Sequence, residues 1–188
     1  MSASKLGAAP KPPSSDDNAF KTQLVALIPH LRAFARTLTG DPTAADDLAQ
    51  DAMMKAWDAR ASYQMGTNMK AWTFMILRNQ FYSEKRRSWR QSQLDQEAAE
   101  RTLVAVDDPE APVALDELRQ ALKTLPEEQR EALILVGAGG FAYEEAAEIC
   151  GCAVGTVKSR VSRARRALLA TLELGPGEDS DCGGEYAR

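Results

Sequence analysis

The sequence predicts an all-α protein made of two small helical domains, and three observations carry that prediction. Only 6% of its 188 residues are aromatic, and no run of Val, Ile, Thr and Tyr alternates as a half-buried strand does. Apolar residues recur instead at spacings of three and four through most of the chain. That periodicity is interrupted at residues 93–114, where Asp107-Asp108-Pro109 and Pro112 stop any helix. At this length a substantial core requires that most of the chain be helical and well patterned.

The expected organisation follows in chain order. Residues 1–17, rich in Ser, Pro, Ala and Lys, and residues 173–188, rich in Gly and acid, read as disordered tails, because neither buries enough apolar surface to order itself. The first domain covers 18–92. In it Leu24, Leu27, Ile28, Leu31, Phe34, Ala35 and Leu38 follow helical spacing, with a kink expected at Pro29. Gly40 supplies a stop, and Asp41-Pro42 starts the next helix: the carboxylate accepts a free N–H, and proline in the first turn loses nothing. That helix, about 42–59, buries Leu48, Ala49, Ala52, Met53, Ala56 and Trp57 and turns Asp46, Asp47, Gln50, Asp51 and Lys55 outward. A third run, from Met69 to about Arg90, repeats Trp72, Met75, Ile76, Asn79 and Tyr82 before becoming basic.

Residues 93–114 form the expected flexible linker, and 115–172 the second domain. Leu115, Leu118, Leu122 and Leu125 make a short amphipathic helix. Pro126 begins the next, with Glu127 and Glu128 in the first turn, where the helix dipole favours acids, and Gly137, Gly139 and Gly140 end it. Two further helices surround a turn at Gly151 to Val154.

The chain carries a formal net charge of -4, yet its charge is sorted. Leu77 to Gln93 hold five bases against Glu84, whereas Leu94 to Arg119 hold eight acids against two arginines. Residues 155–166, GTVKSRVSRARR, carry five bases and no acid. Two basic segments are thus separated by an acidic connector.

The last basic segment lies in a helix-turn-helix pattern. Ala146, Ala147 and Val157 are small or apolar where two helices must cross, and Gly151 permits the turn. The outward side then presents Thr156, Lys158, Ser159, Arg160, Ser162 and Arg163, a set suited to phosphates and base edges in a major groove. The stretch from Gly66 to Trp89 interleaves aromatics with bases, as stacking on unpaired nucleotides requires, although Trp72 and Tyr82 also fit a core.

Enzyme chemistry finds little support, and no cofactor or metal is expected. His30 has no carboxylate or nucleophile partner in sequence, and Cys150-Gly-Cys152 lacks both the spacing and the ligand number of a zinc site. Cys150 reads as core and Cys152 as a turn residue. Three unevenly placed cysteines predict reduced thiols. The first residues lack the apolar core of a signal peptide, and no apolar run reaches the length of a membrane span, so a cytoplasmic protein with no membrane partner is expected.

In order, DDLAQDAMMKAW, MKAWTFMILRNQFYSEKRR, an acidic linker, LPEEQREALILV and YEEAAEICGCAVGTVKSRVSRAR resemble a two-domain extracytoplasmic-function (ECF) sigma factor of bacterial RNA polymerase. GTNMKAW, ILRNQFYSEKRR and GCAVGTVKSRVSRAR further resemble the EcfG-type general stress response subgroup. The resemblance implies sigma region 2 at 18–92 and region 4 at 115–172. It implies docking on the polymerase β′ coiled coil by Asp46, Asp47, Leu48, Asp51, Lys55 and Trp57, with a further contact to the β flap. It implies −10 element capture by Thr67, Asn68, Met69, Lys70, Asn79, Tyr82, Lys85, Arg86 and Arg87. The −35 element falls to Thr156, Lys158, Ser159, Arg160 and Arg163. A small anti-sigma partner of the NepR type is implied as well, the chain being a monomer when free. Ala142 departs from the pattern, since related sequences favour a serine cap there, at a cost of about 1 kcal/mol.

A helix-turn-helix repressor is the alternative, but nothing in the sequence resembles a dimerisation helix or ligand pocket; a sigma-like mimic is the other. The sorted charge yields an expectation of its own: the isolated chain binds promoter DNA poorly. A gel shift with free protein checks it, and tight sequence-specific binding would overturn it.

Overall fold

The computed structural model describes residues 15–94 and 113–174, and all its regular elements there are helical. Of the expected tails, 1–17 and 173–188, residues 1–14 and 175–188 lie outside the described residues, as does most of the linker, whereas residues 15–17 open the first helix and 173–174 close the last. The first half comprises α1 (Ser15–Ala26), α2 (Ile28–Thr39), α3 (Pro42–Asp58), a single 3-10 turn (Arg60–Ser62) and α4 (Met69–Leu94). The second comprises α5 (Val113–Lys123), α6 (Glu127–Gly137), α7 (Tyr143–Cys150) and α8 (Val154–Leu174). None of these helices is long and apolar enough to cross a membrane.

Where the sequence predicts one kinked helix, the chain forms two. Pro29 offers no N–H to the turn before it, so the helical ladder breaks at Leu27 and α2 restarts with the proline in its first turn. Gly40 closes α2 in the left-handed conformation (φ 72°), and Asp41 caps α3 by accepting the Ala44 N–H at 2.7 Å.

Small residues let α2, α3 and α4 approach closely. Ala45, Ala49 and Ala52 of α3 face Leu31, Phe34, Ala35 and Leu38 of α2 and Ala71, Phe74 and Leu77 of α4, all buried. Phe34 and Phe74 stack at 4.9 Å. At the other end Phe20 of α1 sits among Trp57, Tyr63 and Trp72, with ring centroids 5.6–6.1 Å away.

In the second half Ala132 and Leu135 of α6, Ala146, Ala147 and Ile149 of α7, and Val157 and Val161 of α8 pack together. The two hydrophobic sets are continuous. Phe141, in the loop before α7, meets the Phe74 ring edge-on at 5.0 Å, so α4 packs directly against the second half. The two expected helical domains are thus in contact through α4 and the loop before α7.

Leu77 is fully buried in that core. Leu77→Ala should cost about 3 kcal/mol, the transfer and cavity terms for a buried leucine. Urea unfolding of the full chain measures it, with Val25→Ala on the exposed side of α1 expected to stay within about 0.5 kcal/mol of wild type.

Candidate nucleic-acid interface

The helix-turn-helix is built by α7 and α8. Gly151 turns the chain in the left-handed conformation (φ 64°), and the Cys152 N–H donates to the Ala147 carbonyl at 3.1 Å. Val157, Val161 and Ala164, spaced as one helix face, are buried, which turns Lys158, Ser159, Ser162, Arg163, Arg165 and Arg166 outward. Of the residues implicated at a −35 element, Lys158, Ser159 and Arg163 are thus exposed, and Thr156 is half-buried. The Arg163 guanidinium folds back onto Ser159 Oγ at 3.1 Å. Arg160 is already engaged, by Glu128 of α6 and by Cys152 Sγ at 3.6 Å.

Ala142 gives the start of α7 no side-chain acceptor. Only half of a capping box forms: Glu145 Oε2 accepts the Ala142 N–H at 2.9 Å. The other Glu145 oxygen accepts from Asn68 Nδ2, in the opposite half of the molecule, at 2.5 Å.

That contact introduces the second surface, along α4 and the turn before it. Tyr63 Oη donates to the Thr67 carbonyl at 2.7 Å, and Asn68 Oδ1 caps α4 by accepting the Ala71 N–H at 3.0 Å. Lys70 Nζ donates to the Gly139 carbonyl at 2.7 Å and lies 5.0 Å from the Phe141 ring centroid. Farther along, Arg78 forms a two-point pair with Glu131 of α6, Nε to Oε1 at 2.7 Å and Nη2 to Oε2 at 3.3 Å. Tyr82 Oη reaches Glu131 Oε2 at 3.3 Å, and Lys85 pairs with Glu127. Asn79, Arg86 and Arg87 are exposed, whereas Met69 is buried beneath the aromatic cluster. The residues implicated at a −10 element therefore divide: Asn68, Lys70, Tyr82 and Lys85 contact the second half, and Thr67, Asn79, Arg86 and Arg87 lie on the exposed surface.

Burial holds the Glu131 carboxyl above the usual carboxylate range, against the opposing hydrogen bond and charge of Arg78. Burial pulls Arg78 down, but its bond to Glu131 and that group's charge outweigh it, and the guanidinium is held above its ordinary value. Tyr82 is raised by burial and then by the Glu131 charge. The Cys150 thiol, buried at the end of α7, is pushed up to about 12 by its burial and by Glu131, so it is a poor nucleophile. Among the described residues no cluster of His, Cys, Asp and Glu has the geometry to hold a metal ion.

On α3 the acidic edge also divides. Asp47 and Asp51 are exposed, and Asp46 pairs with Arg32 at 3.2 Å. Leu48 is core, Trp57 is half-buried under the Arg60 guanidinium, and Lys55 bonds Gln80. Met54, 66% exposed and within one and two turns of Asp51 and Asp47, completes this surface with an apolar group the sequence reading passed over. Arg78 and Glu131 were passed over as well. The signal for Glu131 was its register: it lies one turn before Leu135, on the face that Ala132 and Leu135 bury.

Residues 24–91 match the sigma-70 region 2 family, and residues 115–168 match sigma-70 region 4. The chain is 46% identical over 162 residues to the ECF RNA polymerase sigma factor EcfG of Rhodopseudomonas palustris, covering 86% of this chain and 90% of that protein. It is 34% identical over 135 residues to the ECF RNA polymerase sigma-E factor of Escherichia coli K12, covering 65% and 70%. Among solved structures it resembles the sigma factor RpoE of Bartonella quintana, determined in complex with the anti-sigma factor NepR, with 46% identity and a TM-score of 0.75 over 84% of this chain and 98% of that one.

Glu131→Ala leaves the Arg78 guanidinium, with its side chain 17% exposed, without its partner, and should destabilise the chain by about 3 kcal/mol. Glu131→Gln, which keeps the volume and an acceptor, should cost clearly less. Denaturant unfolding of both variants checks the order.

Proposed function

The chain belongs to the extracytoplasmic-function class of the sigma-70 family of RNA polymerase sigma factors, and from that premise we propose which residues carry each part of promoter-specific initiation. A sigma factor breaks no covalent bond; it positions core polymerase on duplex DNA and favours melting by holding unstacked bases. The observation that carries the assignment is the presence of two basic helix surfaces, α8 and the far end of α4, in different halves of one chain.

On α8, Lys158, Ser159 and Arg163 contact the −35 duplex from the major groove, with Thr156 at the helix start and Arg160 joining once it leaves Glu128. On α4 and the turn before it, Thr67, Asn68 and Lys70 hold a −10 base while Asn79, Tyr82, Lys85, Arg86 and Arg87 contact the strand and its phosphates. Met69, being buried, shapes that turn from beneath. The polymerase meets α3 through Asp47, Asp51 and Met54, with Asp46 and Lys55 at the rim and Leu48 and Trp57 supporting from below. The linker within residues 93–114 joins the two readers. The subgroup resemblance supports a role in the general stress response, in the cytoplasm, under control of an anti-sigma partner of the NepR type.

Run-off transcription with core polymerase, on templates with intact and mutated −35 and −10 elements, tests this reading. Initiation should depend on the protein and on both elements. Lys158→Ala or Arg163→Ala should cost roughly 1–3 kcal/mol in promoter discrimination per lost base contact. Arg86→Ala with Arg87→Ala should weaken all promoters alike and flatten the salt dependence. No protein-dependent initiation, with polymerase proven active by another sigma factor, would overturn the assignment.

A further inference from the structure

Among the described residues every aromatic side chain is buried or half-buried except Trp89, which is 62% exposed near the end of α4. Its place on the helix is specific. Asn79, Tyr82, Arg86 and Trp89 follow one another at spacings of three and four, so the indole continues, one turn on, the face of α4 assigned above to the −10 strand. Arg86 and Arg90 lie beside it and are themselves exposed. From Lys85 to Arg90 the helix carries four bases and no acid. An exposed ring set among cations matches a nucleic-acid strand: the π-face takes a base while the guanidinium groups hold the phosphates next to it.

We propose that Trp89 is a stacking site for a nucleobase at the edge of the melted −10 segment. This rests on the assignment of α4 above and adds a base contact at the far end of that helix. The helix start, where Thr67 to Lys70 hold one base, lies roughly 30 Å away. A strand at duplex rise covers that length in about nine nucleotides, and a stretched strand in fewer. The two contacts therefore grip opposite ends of one strand. Melting breaks the stack between the last unpaired base and its duplex neighbour, and the indole replaces part of what is lost. Arg86 and Arg90 fix the backbone beside that base. Because every base offers a π-face, this contact favours strand separation without reading sequence.

The test uses holoenzyme assembled from core polymerase and the full chain, on a promoter that the unmodified chain transcribes. 2-Aminopurine is placed singly at each position across the −10 element and its flanks. Fluorescence of the open complex should be quenched at one position on the edge of the melted segment with wild type and with Trp89→Phe. It should brighten there with Trp89→Leu, which keeps apolar bulk without a π-face. Trp89→Leu should also lower open-complex formation roughly five- to a hundredfold, the range spanned by one stacked base. Denaturant unfolding of the chain and its affinity for core polymerase should stay as in wild type, since most of the indole is exposed before DNA arrives. A quench pattern shared by Trp89→Leu and wild type would overturn the proposal, as would a loss matched by weaker folding or weaker polymerase binding. If the unmodified chain transcribes no promoter, the sigma assignment falls and this proposal with it; transcription that is indifferent to Trp89 removes the proposal alone.

Discussion

Glu131 exposes none of its side chain to solvent, yet both its oxygens face the Arg78 guanidinium. Desolvating two charges offsets much of their attraction, so a well-packed apolar pair at these positions could stabilise the chain as well. What an apolar pair lacks is register. A two-point fork matches in one axial position, and with Arg78 set against Glu131, Lys85 falls opposite Glu127 one helix turn away and Phe74 falls opposite Phe141 on the other side. Displaced by a turn, the same surfaces would bury an unpaired carboxylate and an unpaired cation. The pair thus fixes where the halves meet more than it adds to how strongly they hold.

Much of the fold was legible because its signals are local. Asp41-Pro42, Gly40 and Gly151 announce helix ends through backbone chemistry, and the alanines of α3 announce a close helix crossing through size alone. The start of α2 was less legible: a proline near the first turn of a helix and a proline kinking a longer one look alike in sequence, and what separates them here is the turn at Leu27. Packing between the halves was not legible at all. Arg78 and Glu131 stand 53 positions apart, and nothing near either names the other.

The basic surfaces show the same divide. Outward residues of α8 could be read from the inward spacing of Val157, Val161 and Ala164, because one helix face fixes the other. On α4 the rule fails, because this helix is packed on more than one side. Phe74 touches both Phe34 and Phe141, so basic residues that periodicity assigns to solvent are instead split between solvent and a second interface. On α3 periodicity did separate the consecutive methionines, placing Met53 on the inward face; what it left unsaid is that its neighbour Met54 adds an exposed apolar group beside Asp47 and Asp51.

Glu145 divides its carboxylate between two tasks, one oxygen on the Ala142 amide at the start of α7 and the other on Asn68 across the interface. With alanine in place of a hydroxyl at residue 142, this side chain is the one that caps α7, a helix of only eight residues. Asn68 anchors the rotamer that does the capping. When the halves separate that anchor is lost, and the carboxylate must hold the helix start against its own torsional freedom. The α7–α8 pair therefore borrows rigidity from the first half of the chain: the start of its shorter helix is held by a residue that belongs to α4's approach and not to its own half.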